Sequence, residues 1–311
     1  MISIIIPAYN YAQYLPEALD SLLAQSEKDW ECIIINNGSF DNTADVAKNY
    51  VSKDNRFRYF EIENKGVSNS RNFALKQCKG FFIQFLDADD KLESEKLNAQ
   101  LNYLRANPQV DLVYGDARYF RDSQPGERRY SMHANDKEWM PCISGKGNTI
   151  VGIMLKRNIF PINAPLFHKR LIDEYGAFDE TLTGLEDWDL WLRFAVNGSC
   201  FAYLNTPGTQ ALIRIHALSA SHNRKMMQSH ILPVLQHYLF NNKTDAGQKI
   251  YLLARYEEEL WDAVFSLLQL RVVKIKYSKS NSIMSFIFLL LIAVFFLPFY
   301  LLLKVYRKIK S

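Results

Sequence analysis

The chain has 311 residues, 48% of them apolar and 14% aromatic, which is enough for one large domain or two modest ones and excludes global disorder. Its net charge of +4 is uneven, because residues 271–311 contain eight basic and no acidic residues. The preceding part holds 29 basic and 33 acidic residues, which argues against nucleic-acid binding and favours a tail that meets an anionic surface.

Four cysteines show neither a disulfide pattern nor metal-ligand spacing: Cys32, Cys78, Cys142 and Cys200. This usage suits a reducing compartment. No secretory signal precedes the first apolar run, which begins at Ile2. We therefore expect the main domain to be cytoplasmic.

The first 90 residues alternate short apolar runs with segments of helical spacing. The runs predict four strands: Ser3–Pro7, Trp30–Ile35, Phe57–Ile62 and Phe81–Leu86. The intervening segments predict three helices, which start near Leu15, Asp41 and Ser68. This β-α-β-α-β-α-β order predicts a Rossmann-like, mainly parallel sheet flanked by helices, in an α/β fold. In such sheets the loops after the strands lie along one edge and carry function.

The second part of the chain is less regular. We predict a helix over Ser94–Arg105, a strand over Asp111–Phe120, and a long mobile insertion over Arg121–Asn148. A helix over Glu186–Phe194 carries two tryptophans that we expect in the core, Trp188 and Trp191. Further strands are predicted at Phe201–Leu204 and before His216, followed by two helices up to about residue 270.

The predicted fourth strand runs directly into Asp87-Ala88-Asp89-Asp90. An Asp-x-Asp loop at the carboxyl end of a buried strand presents hard oxygen ligands, which suit Mg²⁺ or Mn²⁺. Because Asp also caps helices well, the same residues are compatible with a solvated turn at a helix start.

Residues 283–303 form a run of 21 residues without a charge. As a helix this run would span about 30 Å, the thickness of a bilayer core. Pro298 within it is also compatible with a re-entrant bend, and a buried core helix is the alternative. The basic stretch Arg271–Lys279 would then lie against anionic headgroups on the cytoplasmic side.

Seven short segments follow one another in a specific order: Ile4–Asn10, Asn37–Thr43, Asn64–Asn72, Leu86–Asp90, Gly176–Glu180, Glu186–Trp191 and Arg214–His216. Together they resemble a family 2 glycosyltransferase of the GT-A fold, of the type that builds bacterial surface polysaccharides. The resemblance covers residues 1 to about 220. It implies a nucleotide-sugar half over 1–110 and an acceptor half over 111–220. From their own sequence pattern, the remaining residues are predicted to form a helical extension over 221–280 and a membrane segment over 281–311.

The resemblance implies roles for the donor and metal residues. Asp89 would hold a Mn²⁺ or Mg²⁺ ion that neutralises the leaving diphosphate, with His216 as a further metal or phosphate contact. Asp87 would face the ribose or the sugar hydroxyls, Ala88 would also belong to the donor site, and Asp90 would cap the next helix. The other donor-binding residues would be Pro7, Ala8, Tyr9, Asn37, Asp41 and Arg71. Tyr9 as packing, Arg71 as a surface residue and His216 as a structural hydrogen bonder are the alternatives.

Glu186-Asp187 matches the family's position for the catalytic base. A carboxylate at Asp187 with a near-neutral pKa would take the proton of the acceptor hydroxyl, and Glu186 would orient the acceptor or the loop. The direct displacement inverts the anomeric centre. We expect transfer of a hexose or N-acetylhexosamine from a UDP-sugar to a glycan, and we expect that glycan to be lipid-linked and the enzyme to act at the inner or plasma membrane.

One departure concerns the nucleotide base. The family usually carries an Asp in the turn where this chain has Asn36 and Asn37, and an Asn accepts the uracil N3 proton without charge. The pair is the one feature that favours an alternative, a non-catalytic nucleotide- or glycan-binding partner in an assembly complex. A sugar nucleotidyltransferase would need a Gly-rich phosphate loop, which the segment Ala8–Tyr11 is not.

Overall fold

The computed structural model describes residues 1–132, 135–216, 230, 231, 233–235 and 238. The chain divides into two units, Met1–His230 and Ile231–Ser311, and every named helix and strand lies in the first. The predicted membrane segment over 283–303 and nearly all of the predicted extension over 221–280 lie outside the described residues. No helix in the described part is both long enough and apolar enough to cross a membrane.

Strands and helices alternate along the described residues. The strands are β1 (Ile2–Ala8), β2 (Trp30–Asn36), β3 (Phe57–Glu61), β4 (Phe82–Phe85), β5 (Lys91–Leu92), β6 (Leu112–Tyr114), β7 (Ala117–Arg121), β8 (Gln124–Arg129), β9 (Pro165–His168), β10 (Phe201–Tyr203) and β11 (Ala211–Arg214). The helices are α1 (Leu15–Leu23), α2 (Thr43–Lys53), α3 (Val67–Gln77), α4 (Lys96–Ala106), α5 (Asn148–Met154), α6 (Arg170–Tyr175) and α7 (Glu186–Val196).

Seven strands form the main sheet, in the order β10-β6-β9-β4-β1-β2-β3. The half that contains β4, β1, β2 and β3 is parallel, and β9 lies antiparallel between β4 and β6. All seven residues of both β1 and β2 are buried, which explains their mostly apolar sequence. The predicted α/β fold with a mainly parallel sheet is thereby confirmed.

The predicted strand Asp111–Phe120 is in fact two strands in two sheets. β6 belongs to the main sheet, whereas β7 belongs to a smaller sheet of order β5-β11-β7-β8. The break falls at Gly115, where a Cβ would lie only 3.1 Å from the carbonyl oxygen of Leu204. The continuous β-propensity of this segment hides the change of sheet.

The segment predicted as a mobile insertion, Arg121–Asn148, is partly regular. It begins with the hairpin of β7 and β8, and Gly145 forms an isolated bridge with Phe201. β8 has no apolar alternation, because it is an edge strand that is almost entirely exposed. Its backbone pairing, rather than side-chain burial, holds it in place, so the sequence pattern does not reveal it.

The two tryptophans of α7 lie in the core, as predicted. Trp188 is 2% exposed and Trp191 is fully buried. The Trp191 ring contacts the rings of Phe85, Phe160, Phe167 and Phe194, and thereby joins α7 to β4 and β9. This packing places the start of α7 beside the loop that follows β4.

Candidate active site

The loops after the parallel strands are joined to one another by polar side chains. Asp41 accepts hydrogen bonds from the backbone N–H groups of Ala12 and Thr43, at 3.0 Å each. Asn10 Oδ1 accepts one from the N–H of Phe40, at 2.9 Å. These contacts join the first loop to the second. Asp41, a predicted donor-binding residue, therefore shapes the wall of the site.

The predicted nucleotide wall lies at the end of β1. Pro7 and Ala8 are buried strand residues, and Tyr9 is 39% exposed. The Tyr9 ring meets the still more exposed Phe40 ring edge to face, with centroids 5.6 Å apart. The two rings form an accessible aromatic surface beside the loop that follows β1.

Asn36 and Asn37 are both buried, and their amides are engaged differently. Asn36 donates to Tyr59 Oη at 3.0 Å and accepts from the N–H of Ser39 at 3.0 Å. Asn37 donates to Asn64 Oδ1 at 3.1 Å, which joins the second loop to the third. Gly38 allows this close approach because it has φ +72° and a Cβ would lie 3.3 Å from the Asn64 nitrogen.

The aspartates after β4 point to different partners. Asp87 pairs with Arg71, Ala88 is buried, and Asp89 Oδ2 lies 2.7 Å from His216 Nε2. Burial and the neighbouring charge of Asp87 raise the pKa of Asp89. The fold therefore brings together Asp89 and His216, which are far apart in the chain.

Asp90 has a role that the sequence does not reveal. The predicted role as a cap of the next helix is wrong, because α4 begins after Glu95 and has no side-chain cap. Asp90 is instead 4% exposed and accepts hydrogen bonds from the Arg214 N–H, at 2.7 Å, and from Asn163 Nδ2. Burial and the two neighbouring aspartates raise its pKa. Asp90 thus anchors the loop to β11.

Arg71 connects the two acidic motifs. Its guanidinium is 3% exposed, with Nη2 at 2.8 Å from Asp87 Oδ1 and Nη1 at 2.7 Å from Glu186 Oε1. Arg71 is therefore neither a surface residue nor open to a diphosphate in this state. It holds the start of α7 against the loop after β4, so that residues 115 positions apart share one contact.

Glu186 and Asp187 open α7 after Leu185, which has the left-handed φ of +61°. Asp187 is half-buried, and its two oxygens accept hydrogen bonds from the Trp188 N–H and from Asn158 Nδ2, both at 2.7 Å. Burial and the charge of Glu186 raise the pKa of Asp187 to about 7, although Arg71 and the two hydrogen bonds oppose this shift. A carboxylate with such a pKa suits proton abstraction near neutral pH.

Asp89 and His216 are the candidate ligands for a divalent cation, and in this structure they are hydrogen-bonded to each other. A carboxylate oxygen and an imidazole nitrogen face one another, and both are groups that Mn²⁺ accepts. Within the described residues, no group of three or more His, Cys, Asp or Glu side chains is placed to hold a metal. Substrate phosphates and water would complete such a coordination shell, as they commonly do for Mg²⁺.

Sequence reasoning assigned no role to three residues of this site: Asn158, Asn163 and Arg214. The two asparagines lie in the connection between α5 and β9, where no local pattern distinguishes them from ordinary loop residues. Arg214 stands two positions before His216, but its contacts with the Asp89 carbonyl and with Asp90 depend on β11. Only the tertiary structure places these residues at the site.

A family model described as "Glycosyl transferase family 2" matches residues 3–165, more than half of the chain. An uncharacterized glycosyltransferase of Rickettsia typhi is 32% identical over 201 residues, which cover 62% of this chain and 58% of that protein. Chondroitin synthase of Escherichia coli is 28% identical over 205 residues, 66% of this chain and 28% of that protein. The chain thus spans less than two thirds of the length of these relatives.

Two solved structures share the fold at low sequence identity. S. aureus TarS 1-349 in complex with UDP-GlcNAc has a TM-score of 0.67 at 19% identity, over 84% of this chain and 72% of that one. Mannosyltransferase PcManGT from Pyrobaculum calidifontis, in complex with GDP-Man and Mn²⁺, has a TM-score of 0.62 at 18% identity, over 99% of this chain and 83% of that one. The α/β fold is therefore of the GT-A type, and the chain belongs to glycosyl transferase family 2.

Proposed function

We propose that this protein is an inverting glycosyltransferase that moves a hexose or N-acetylhexosamine from a UDP-sugar to a hydroxyl group of a glycan. One observation carries the proposal. Arg71 holds the Asp87 loop against Glu186, and the adjacent Asp187 has a pKa of about 7. A donor-facing acidic loop and a carboxylate poised as a base thus share one site.

The donor is proposed to lie over the loops that follow β1 to β4. TarS and PcManGT, which share this fold, were solved with UDP-GlcNAc and GDP-Man respectively. By analogy, Tyr9 and Asn37 would contact the base, and Asp87 would contact the ribose or the sugar. Because an amide at Asn37 replaces the carboxylate usual in the family, the choice of base is tested with GDP-sugars as well as UDP-sugars.

Asp89 and His216 are proposed to hold Mn²⁺ or Mg²⁺. When bound, the ion would neutralise the charge that develops on the leaving diphosphate. Arg71 does not neutralise the diphosphate in the described state, because its guanidinium is already paired with two carboxylates. The protein holds Asp89 in place because Arg214 donates hydrogen bonds to Asp90 and to the Asp89 carbonyl.

Asp187 is proposed to accept the proton of the attacking hydroxyl. The Asn158 and Trp188 hydrogen bonds keep its carboxylate in one orientation, so the base faces the acceptor at a defined position. Attack from the side opposite the diphosphate inverts the anomeric centre, which gives a β-linkage from an α-linked donor. Glu186 keeps Arg71 in place and supplies part of the charge that raises the pKa of Asp187.

The acceptor is proposed to be a lipid-linked glycan of a cell-surface polysaccharide. The uncharged run over 283–303 and the basic stretch Arg271–Lys279 support a membrane-held enzyme, with its catalytic part on the cytoplasmic side of the inner or plasma membrane. Deletion of residues 283–311 tests this part of the proposal. The truncated protein should leave the membrane fraction, and its retention there would exclude 283–303 as the anchor.

The reaction is tested by incubating the full-length protein with Mn²⁺ and a panel of UDP- and GDP-sugars, with and without glycan acceptors. Asp89→Asn should abolish both transfer and donor hydrolysis, whereas Asp187→Asn should abolish transfer and retain UDP binding. Asp173→Asn on α6, where the side chain is 59% exposed, is the matched control. Nucleotide-sugar binding without turnover by the wild type would instead favour a non-catalytic binding partner.

A further inference from the structure

Asn163 contacts the acidic loop from the side of β9. Its side chain is 1% exposed, and Oδ1 accepts a hydrogen bond from the Asp87 N–H at 2.9 Å. Its Nδ2 donates to Asp90 Oδ2. One amide therefore touches the first and the last aspartate of the loop and spans the segment that contains Asp89.

A buried network holds Asn163 in place. Gln84 Nε2 donates to the Asn163 carbonyl at 2.9 Å, and Gln100 Nε2 donates to the Ala164 carbonyl at 3.0 Å. The oxygens of both glutamine amides accept hydrogen bonds from Lys96 Nζ, at 2.6 and 2.8 Å. All three of these side chains are fully buried.

Lys96 determines which way the two glutamine amides point. Its Nζ has at least two N–H donors in either protonation state, and it donates to both glutamine oxygens, which leaves each NH₂ directed towards the backbone at 163 and 164. Burial lowers the pKa of Lys96 well below its usual range, and the neutral amine keeps two N–H donors for the same contacts. An apolar side chain at this position would avoid the cost of burying a polar group but would leave both glutamine oxygens without this donor.

The opposite side of the loop is held by β11. The Arg214 N–H donates to Asp90 Oδ1 at 2.7 Å, and Arg214 Nε donates to the Asp89 carbonyl at 2.8 Å. Asp90 is therefore bound between Asn163 and Arg214. Because both ends of the loop are bound, the backbone fixes the direction in which the Asp89 side chain points towards His216.

We propose that Asn163, held by Lys96, Gln84 and Gln100, is a positioning residue that fixes the Asp87–Asp90 loop for the metal and the diphosphate. This role rests on the proposed function. The buried network would thus contribute to the binding of the metal and the diphosphate. A network that served only to fill the core would affect stability and leave the metal requirement unchanged.

The test uses UDP with Mn²⁺ as the probe and the full-length protein. Asn163→Leu removes both side-chain contacts at similar volume. We expect it to raise the Mn²⁺ concentration for half-maximal UDP binding by about 10-fold, as is typical when a residue that supports metal ligands is lost. We expect Lys96→Met to raise it by a smaller factor, because it loosens the glutamines while Asn163 remains.

A second readout needs neither metal nor nucleotide. Hydrogen exchange of the Asp87 amide, whose N–H bonds to Asn163, should be faster in Asn163→Leu. Gln25→Met is the matched control, because Gln25 is also a fully buried amide bonded to backbone groups, those of Ser21 and Glu93. It should leave both the exchange of Asp87 and the Mn²⁺ requirement unchanged.

Asn163→Asp covers the case in which Asn163→Leu does not fold. It keeps the acceptor for the Asp87 N–H and places a carboxylate against Asp90, so the Mn²⁺ requirement should again rise. Wild-type Mn²⁺ requirement and exchange in a folded Asn163 variant would overturn the positioning role alone. Failure of the wild type to bind UDP with Mn²⁺ would instead count against the proposed function.

Discussion

Asn158 Nδ2 lies 2.7 Å from Asp187 Oδ2, and this hydrogen bond stabilises the ionised form of the proposed base. Asn158 Oδ1 is buried and has no hydrogen-bond partner within the described residues. The orientation of the amide is therefore set by Asp187 itself. A residue that no sequence motif marks thus tunes the proposed base, which stands in a clear motif.

Replacing Asn158 by Leu should make Asp187 harder to ionise. The variant loses a hydrogen bond to a charged group, worth roughly 1.5–3 kcal/mol, or about one to two pKa units. Because only the ionised carboxylate accepts the acceptor's proton, the acid limb of kcat/KM should move to higher pH by about one unit. The measurement is the pH profile of sugar transfer.

Asn102→Leu is the control for this change, because Asn102 is an exposed amide on α4. Its acid limb should stay at the wild-type pH. An Asn158→Leu profile that overlays the wild type would show that this hydrogen bond does not act on the base.

Glu186→Gln should move the same acid limb in the opposite direction. After burial, the charge of Glu186 is the largest cause of the raised pKa of Asp187, and the neutral amide removes it. The glutamine oxygen still accepts a hydrogen bond from Arg71, so the start of α7 should keep its position. The wild type should lose kcat/KM below about pH 7, and the variant only below a pH about half a unit to one unit lower.

The direction of this shift separates the possible roles of Glu186. A limb that stays in place while kcat falls would mean that Glu186 acts on the acceptor rather than on the base. A limb that rises would contradict the charge arrangement around Asp187.

Arg71→Met should destabilise the protein strongly. Arg71 is the buried cation between Asp87 and Glu186, and removing it leaves two carboxylates without their partner. Loss of one member of a buried pair costs about 3–5 kcal/mol of unfolding free energy. Adding Glu186→Gln should restore part of this loss, because it removes one of the unpaired charges. The measurement is urea unfolding followed by tryptophan fluorescence.

Lys65→Met provides the contrast. Lys65 and Glu63 are 3.1 Å apart, but both side chains are largely exposed, so the pair contributes about 1 kcal/mol or less. Equal losses in Arg71→Met and Lys65→Met would mean that the Arg71 cluster is no more than a surface ion pair.

The parallel half of the sheet is predictable from the sequence for a definite physical reason. Strands buried on both faces need mostly apolar runs, as in Ile2–Ala8 and Trp30–Asn36, and these runs are visible without a structure. The exposed strand Gln124–Arg129 has no such run, since its backbone pairing imposes no side-chain pattern. Its sequence is therefore indistinguishable from that of an unstructured insertion.

The residues of the candidate site also fall into those that the sequence reveals and those that it does not. Asp87, Asp89 and Asp187 stand in short motifs, so they can be recognised locally. The contacts of Asn158 and Asn163 depend on the chain segment that leads into β9, which lies antiparallel between β4 and β6. No local spacing of residues shows that β9 inserts between these two strands. The role of Asp90 is misread from sequence because a helix cap and a buried anchor require the same residue type.

Asp187→Asn should stabilise the protein above neutral pH. The folded-state pKa of Asp187, about 7, lies above its ordinary value of 3.8, so the folded protein binds the proton more tightly than the unfolded chain. Stability therefore falls as pH rises from about 4 to about 7, and the ionised carboxylate is destabilising at pH 8. Because Asp187 is half-buried, we expect a gain of about 1–3 kcal/mol for the variant at about pH 8 and little at about pH 4.

Asn158 can accommodate the new amide by rotating its own side-chain amide, which would offer its buried Oδ1 to the NH₂ group of the introduced asparagine. Thermal unfolding of wild type, Asp187→Asn and the exposed control Asp173→Asn, at acidic, neutral and mildly alkaline pH, measures the effect. The wild type and the control should lose Tm relative to Asp187→Asn as pH rises. Parallel pH dependence in all three proteins would show that Asp187 titrates normally, and a base with a near-neutral pKa would then have to be sought elsewhere in the site.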